Sequence, residues 1–267
     1  MAMEALYAFL RTIDDIADST ALSAEEKSRA LQEFSAVRCQ MLESCQTLDT
    51  LPDDPHIFPA FIDTVEKWSI PQECISEAIE GMVYDADFKP LETLDRLKWY
   101  CHCVAGTVGK ACTQIWELNP EAEYFNLQRV NEWIEQQALA VQITNILRDI
   151  KEDAGNNRVY IPVDFLQRHA WTPHLFIEQV QQGTVRPGEA APLIMELAAI
   201  AEGNYLSSAA LKNMLSPLGQ RSNEMVRNIY LQILRKIQRA PEEVLFRRIS
   251  LSRWEKLRLA LGNGLKW

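Results

Sequence analysis

The sequence predicts an all-α fold in one domain, and three observations carry that prediction. Apolar residues recur at helical spacing along most of the chain, and β-branched alternation is rare. Glycine is scarce, at 10 of 267 residues. Prolines and short polar clusters fall between the periodic segments rather than inside them.

Helices are expected near 2–18, 24–47, 56–67, 72–82, 91–117, 121–153, 173–182, 189–214, 218–238 and 250–261. The first carries Tyr7, Phe9, Leu10 and Ile13 with no N-cap before Glu4. So abrupt a start points to a short gene product or to a missing N-terminal segment. Leu51-Pro52-Asp53-Asp54-Pro55 ends the second helix, Pro90 precedes the fifth, and Asn119-Pro120 stops it. Gly155-Asn156-Asn157 and Pro162 close the sixth, and Pro173 opens the seventh. Arg186-Pro187-Gly188, Pro217 and Pro241 separate the remainder. The fifth helix contains Gly106 and Gly109. Glycine inside a helix costs about 1 kcal/mol against alanine, so close packing or a local break is expected there. No linker is long, and no solenoid-type repeat occurs.

Hydrophobic residues make up 47% of the chain, enough for a large core, and the net charge is −10. That balance excludes a nucleic-acid partner, which would want a basic face. It also means that any polyphosphate must be held by local cations. No apolar run approaches the ~18 residues of a membrane span, and Met1-Ala2-Met3-Glu4 lacks the basic region of a signal peptide. The six cysteines show no zinc spacing. Cys101-His102-Cys103 would point in different directions on a helix, so these read as buried thiols in a reducing cytoplasm. A monomer or weak dimer is expected. No Gly-x-Gly-x-x-Gly fingerprint occurs, so NADPH use is not legible in this sequence.

Two acidic clusters carry the chemistry: Asp14-Asp15-Ile16-Ala17-Asp18 and Asp149-Ile150-Lys151-Glu152-Asp153. In each the outer aspartates are four residues apart, so they share a helix face and repel each other. Two such clusters in apolar helices suit a hard divalent cation, Mg²⁺ (or Mn²⁺), bound through carboxylates and substrate phosphates. Arg11 lies one turn before Asp14. The bland alternative for this first cluster is a solvated helix end. Gln142, Asn145, Asp149 and Asp153 form a single amide–carboxylate stripe, flanked by Arg148 and Arg158, whose guanidinium forks match phosphate oxygens. Tyr100, Val104 and Val108 would share one helix face, headed by a phenol. Tight helix packing is the alternative there.

With these segments the chain resembles the squalene and phytoene synthase family of head-to-head trans-prenyltransferases. The resemblance rests on residues 7–18, Tyr100 to Gly109, Gln142 to Asp153, and Arg158-Val159-Tyr160-Ile161-Pro162. It implies the all-α isoprenoid synthase fold, a single bundle around a central apolar cavity. It further implies that Asp14, Asp18, Asp149 and Asp153 face each other across that cavity and hold Mg²⁺ on two prenyl diphosphates. Arg11, Arg148 and Arg158 would neutralise diphosphate charge. Tyr100 matches the active-site tyrosine, Val104 and Val108 prenyl-channel residues, and Gln142 and Asn145 the polar residues beside the second motif. Family members usually carry a further N-terminal segment with a Ser-Phe pair, and eukaryotic squalene synthases a C-terminal membrane helix. This chain shows neither, and the lack of the C-terminal membrane helix points to a bacterial-type enzyme. Thr113-Gln114-Ile115-Trp116 looks like the presqualene diphosphate synthases of hopanoid pathways, with Trp116 shortening a prenyl channel. Two farnesyl diphosphates are therefore the first expectation, and two geranylgeranyl diphosphates, giving phytoene, the second. A non-catalytic assembly factor of the same fold is the reading from another class, and the retained aspartates weigh against it.

The stretch 247–259 is basic within an acidic chain. Leu251, Trp254, Leu257 and Leu261 are expected on one apolar face, with Arg253, Lys256 and Arg258 off it. A last helix packed on the core is the plain expectation, and a peripheral membrane contact the sharper one.

Overall fold

A computed structural model describes residues 1–19, 21–33 and 57–262. The chain is all-α, and among the described residues there is no strand; an isolated antiparallel bridge pairs Leu118 with Leu215. It divides into two compact units, one of Met1–Lys89 with Thr107–Ile115, the other of Pro90–Gly106 with Trp116–Trp267.

The first unit contains α1 (Ala2–Asp18), α2 (24–33), α3 (Ile57–Lys67), α4 (Gln72–Ala86) and, after an excursion of the chain, α6 (Thr107–Ile115). Its α1 buries Leu6, Phe9, Ile13 and Ala17, one stripe at helical spacing, against α3 and α4. The Phe9 ring stacks on Phe61 with centroids 3.8 Å apart. Ser23 and Glu26 open α2 with reciprocal hydrogen bonds, Ser23 N–H donating to Glu26 at 2.8 Å and Glu26 N–H to Ser23 Oγ at 3.3 Å. The expected helix 24–47 is present over its described part, and 34–47 lie outside the described residues.

The second unit is organised by α7 (Leu127–Gly155), 29 residues and about 43 Å long at 1.5 Å per residue. Against it pack α10 (Ala191–Ser207) and α11 (Pro217–Arg239). α5 (Leu94–Cys101), α8 (Val163–Arg168), α9 (Pro173–Gln182) and α12 (Arg253–Gly262) complete it, with 3₁₀ turns at Leu211–Met214 and Pro241–Leu245. α9 follows its sequence signals closely: Pro173 in the first turn, Thr172 Oγ1 accepting from Leu175 N–H, and Gly183 at φ 66° ending it. α7 begins later than expected because Asn126 caps it, its side chain accepting from Arg129 N–H at 2.9 Å. The expected helix 189–214 stops at Ser207 and resumes as a 3₁₀ turn. α8, only six residues long, is too short to show a periodic pattern.

The expected helix 91–117 is broken. Between α5 and α6 the chain makes a π-helical turn, His102–Gly106. A π turn closes i→i+5 bonds, so α-helical register is not kept from Tyr100 to Val108. Glu135 of α7 packs against this turn: His102 Nδ1 lies 2.9 Å from each of its carboxylate oxygens. A Cβ at Gly106 would come 2.6 Å from Glu135 Oε2, so glycine marks both the break and a close approach.

α12 starts at Arg253, where Ser252 and Glu255 form a reciprocal cap. The expected common face fails: Leu251 precedes the helix and is buried, whereas Trp254 is 79% exposed. The side chains of Leu257 and Leu261 lie outside the described residues. Among the described residues, no helix is long and apolar enough to cross a membrane.

Candidate active site

In the first unit, α1 delivers Arg11, Asp14, Asp15 and Asp18 to its C-terminal end. The apolar stripe at Leu6, Phe9 and Ile13 is buried, which leaves these polar residues off the core. Three carboxylates close a helix whose last turn holds no basic residue. Helix C-termini carry partial negative charge, so anions are disfavoured there. Arg11 partly compensates, reaching Asp14 at 3.2 Å and Asp15 at 2.6 Å. Even so, partial burial, and then the charge of Asp18, push the Asp14 carboxyl above the usual carboxylate range.

That shift has a testable sign. The native state holds its Asp14 proton to a higher pH than the unfolded chain, whose aspartates titrate near ~3.9. Stability is therefore lost as pH rises from the unfolded value through the raised native one. Asp14→Asn should raise the melting temperature in metal-free buffer at pH 7, and the gain should vanish as pH falls toward 4. Arg11 keeps Asp15 in the variant. A lower melting temperature at pH 7, or a gain independent of pH, would contradict the electrostatic account. Val108 on α6 lines a small apolar pocket with Leu6, Phe9, Phe61, Ile75 and Ala111.

In the second unit, α7 ends the same way, with Asp149, Glu152 and Asp153 near a C-terminus whose last turn lacks basic residues. Asp149 is gripped from two sides. Arg148 donates Nε to Oδ1 at 2.8 Å and Nη2 to Oδ2 at 2.5 Å. Arg248, far along the chain, places Nε 2.8 Å from Oδ1 and Nη1 3.4 Å from Glu152. Burial alone would make Arg148 easier to deprotonate. Its bonds to Asp149, and then to Tyr230, outweigh that and hold it firmly charged. Asn145 Nδ2 donates to Gln142 Oε1 at 3.3 Å, leaving Asn145 Oδ1 buried without a hydrogen-bond partner. An unmatched buried acceptor is costly and suits a cation or donor supplied by a ligand.

The remaining expected residues also gather in this unit. Arg158 N–H donates to Asp153 O at 2.9 Å, just after Asn157 takes φ 58°. Two residues on, Tyr160 stacks on buried Tyr100, centroids 5.1 Å apart. The Tyr100 segment and the Arg158-to-Pro162 segment are thus brought together. Val104 sits in the π turn, half-buried. Cys101 is a buried thiol, its pKa raised by desolvation, and the same cause pushes Cys112 up to about 12. Neither is poised as a nucleophile.

Sequence reasoning missed Arg248, Tyr230 and the Tyr205 group. Tyr205 is buried, its hydroxyl 3.2 Å from Thr144 Oγ1, with Arg227 donating to its carbonyl at 3.1 Å. Arg248 was read only as part of a basic stretch.

Among the described residues, no group of three or more His, Cys, Asp or Glu is placed to hold a metal by itself. Mg²⁺ commonly takes one or two carboxylates and completes its shell with water and phosphate. The paired aspartates and the unmatched Asn145 oxygen fit that mode, not a closed all-protein cage.

Residues 1–255 match the squalene/phytoene synthase family. The chain belongs to that family. Its members condense prenyl diphosphates head to head. A phytoene synthase of Mycobacterium tuberculosis is 31% identical over 261 residues, 97% of this chain and 80% of that protein. A phytoene synthase of Thermus thermophilus is 33% identical over 72% of this chain and 62% of its own length. In fold, the chain resembles a dehydrosqualene synthase solved with a ligand (TM-score 0.74, 23% identity, 98% of this chain and 84% of that one). It also resembles the squalene synthase HpnC of Alicyclobacillus acidocaldarius (TM-score 0.73, 20% identity, 89% and 82%). The squalene/phytoene synthase family thus accounts for the fold.

Proposed function

We propose that this chain condenses two geranylgeranyl diphosphates head to head, as a phytoene-synthase-type enzyme. The observation that carries the reaction class is the pair of helices that each end on carboxylates with arginines beside them. Such ends are unfavourable for the isolated protein and favourable once cations and diphosphate arrive. Asp14 and Asp18 in the first unit, and Asp149 and Asp153 in the second, would each hold Mg²⁺, which would supply positive charge to a departing diphosphate. Arg11 beside the first pair, and Arg148, Arg158 and Arg248 beside the second, would bind diphosphate oxygens, and Gln142 and Asn145 would orient the group next to Asp149.

Departure of diphosphate leaves an allylic cation on one substrate. The double bond of the second attacks it, and loss of one proton closes a cyclopropane. Tyr100 or the released diphosphate takes that proton. Water would quench the cation, so apolar walls such as the one around Val108 must exclude it.

The C20 assignment follows the relatives named phytoene synthase, and the farnesyl diphosphates that the Trp116 argument favours are the second reading. Trp116 lies beyond the end of α6. Its carbonyl accepts from Ser216 Oγ at 2.7 Å, and a Cβ at Gly219 would come 2.4 Å from that same oxygen. The test offers farnesyl and geranylgeranyl diphosphates separately, with Mg²⁺ or with EDTA, and identifies products by mass. The expected product is phytoene or its C40 cyclopropyl diphosphate precursor, in the Mg²⁺ reactions alone. C30 product only would restore the farnesyl reading. No diphosphate release from either substrate would favour a non-catalytic role.

A further inference from the structure

Four cationic side chains line one cavity in a chain of net charge −10. Lys236 and Arg239 come from the last turn of α11, and Arg247 and Arg248 follow the 3₁₀ turn Pro241–Leu245. The cavity measures about 300 Å³, and among the described residues Glu243 is the one carboxylate lining it. That volume lies at the lower end of small-molecule sites, ~300–1,000 Å³.

The cations are unequally satisfied. Lys236 Nζ is held by Glu255 at 2.8 Å and by the Ser250 carbonyl at 3.0 Å. The Lys236 bond, and then the Ser252 N–H, hold the Glu255 carboxyl down at about 2, so this clasp persists at any ordinary pH. Arg247 pairs with Glu243 at 2.7 Å. Arg248 spends its charge on Asp149 and Glu152. Arg239 makes no ion pair among the described residues. Three guanidinium forks and an ammonium around one cavity match the oxygens of a phosphate group better than those of any neutral ligand.

We propose that this cavity is a binding site for a phosphate-bearing anion, either soluble diphosphate or the headgroup of an anionic lipid. The assignment touches the proposed function at Arg248, which that reading also gives to substrate diphosphate, and otherwise stands on Lys236, Arg239 and Arg247. It has a consequence for that site: Arg248 borders both, so an anion in the cavity competes with Asp149 and Glu152 for one guanidinium. Occupancy would loosen the grip on Asp149 and free its oxygens.

The test uses the full chain in EDTA, which withholds the metal that the acidic clusters need to hold diphosphate. Inorganic diphosphate is titrated calorimetrically. Vesicles of phosphatidylcholine, with or without phosphatidic acid, are tested by flotation. At least one anionic probe should bind, and Arg239→Gln with Arg247→Gln should weaken it by about tenfold or more. Arg239→Lys should lose less than Arg239→Gln. Calorimetric binding marks a soluble anion, and binding confined to phosphatidic acid vesicles marks a headgroup. Arg239→Gln alone breaks no ion pair among the described residues, which keeps the test readable should the double variant unfold. Failure to bind either probe, or equal binding by wild type and both variants, would overturn the proposal.

Discussion

Asp18→Asn and Asp149→Asn should each lower turnover by at least about 100-fold at saturating Mg²⁺, or ~2.7 kcal/mol of transition-state stabilisation. The loss follows from removing a charge that a cation needs while diphosphate departs. The two variants should differ in stability. Spacing alone says that either change relieves repulsion between carboxylates four residues apart. Asp18 is exposed at the end of α1, and Asp18→Asn should leave the melting temperature unchanged or slightly higher. Asp149, by contrast, is the partner of Arg148, whose side chain is only 15% exposed, and also of Arg248. Its neutralisation leaves a mostly buried guanidinium without its counter-charge, which costs about 1–3 kcal/mol. Asp18→Asn is therefore the cleaner probe of catalysis. Rates near wild type in either variant, with the helical circular-dichroism signal intact, would remove the metal assignment for that position.

That asymmetry shows where sequence reading stops. The i, i+4 aspartates, the stripe from Gln142 to Asp153, and the ends of α1 and α9 are local patterns. Helix geometry turns such patterns into faces without knowledge of the rest of the chain. What the sequence could not yield are pairings across long separations. Arg248 meets Asp149 at a distance of 99 residues, and His102 meets Glu135 at 33. Neither leaves a periodic trace. The π turn escaped for another reason: the 3.6-residue period was assumed to continue through it. Gly106 did signal the break, but nothing nearby in sequence identified Glu135 as the group that approaches it.

Phe9→Ala should destabilise the first unit by about 3–5 kcal/mol, a large share of the ~5–15 kcal/mol that holds a typical domain. Phe9 is 1% exposed, and its ring lies nearly parallel to Phe61, with 3° between the planes. Truncation removes buried apolar surface, leaves a cavity between α1 and α3, and forfeits an aromatic pair worth ~0.5–1.5 kcal/mol. The consequence reaches the chemistry because α1 is held by this stripe and carries Arg11, Asp14 and Asp18 off it. Phe9→Leu keeps most of the volume and should cost much less. Phe61→Ala acts on the same contact, so the double variant should cost clearly less than the two single variants together. Urea denaturation of the wild type and these four variants reads this directly. A loss under about 1 kcal/mol for Phe9→Ala, or strict additivity with Phe61→Ala, would mean that the stacked pair does not anchor α1. The positions of its aspartates would then need another support.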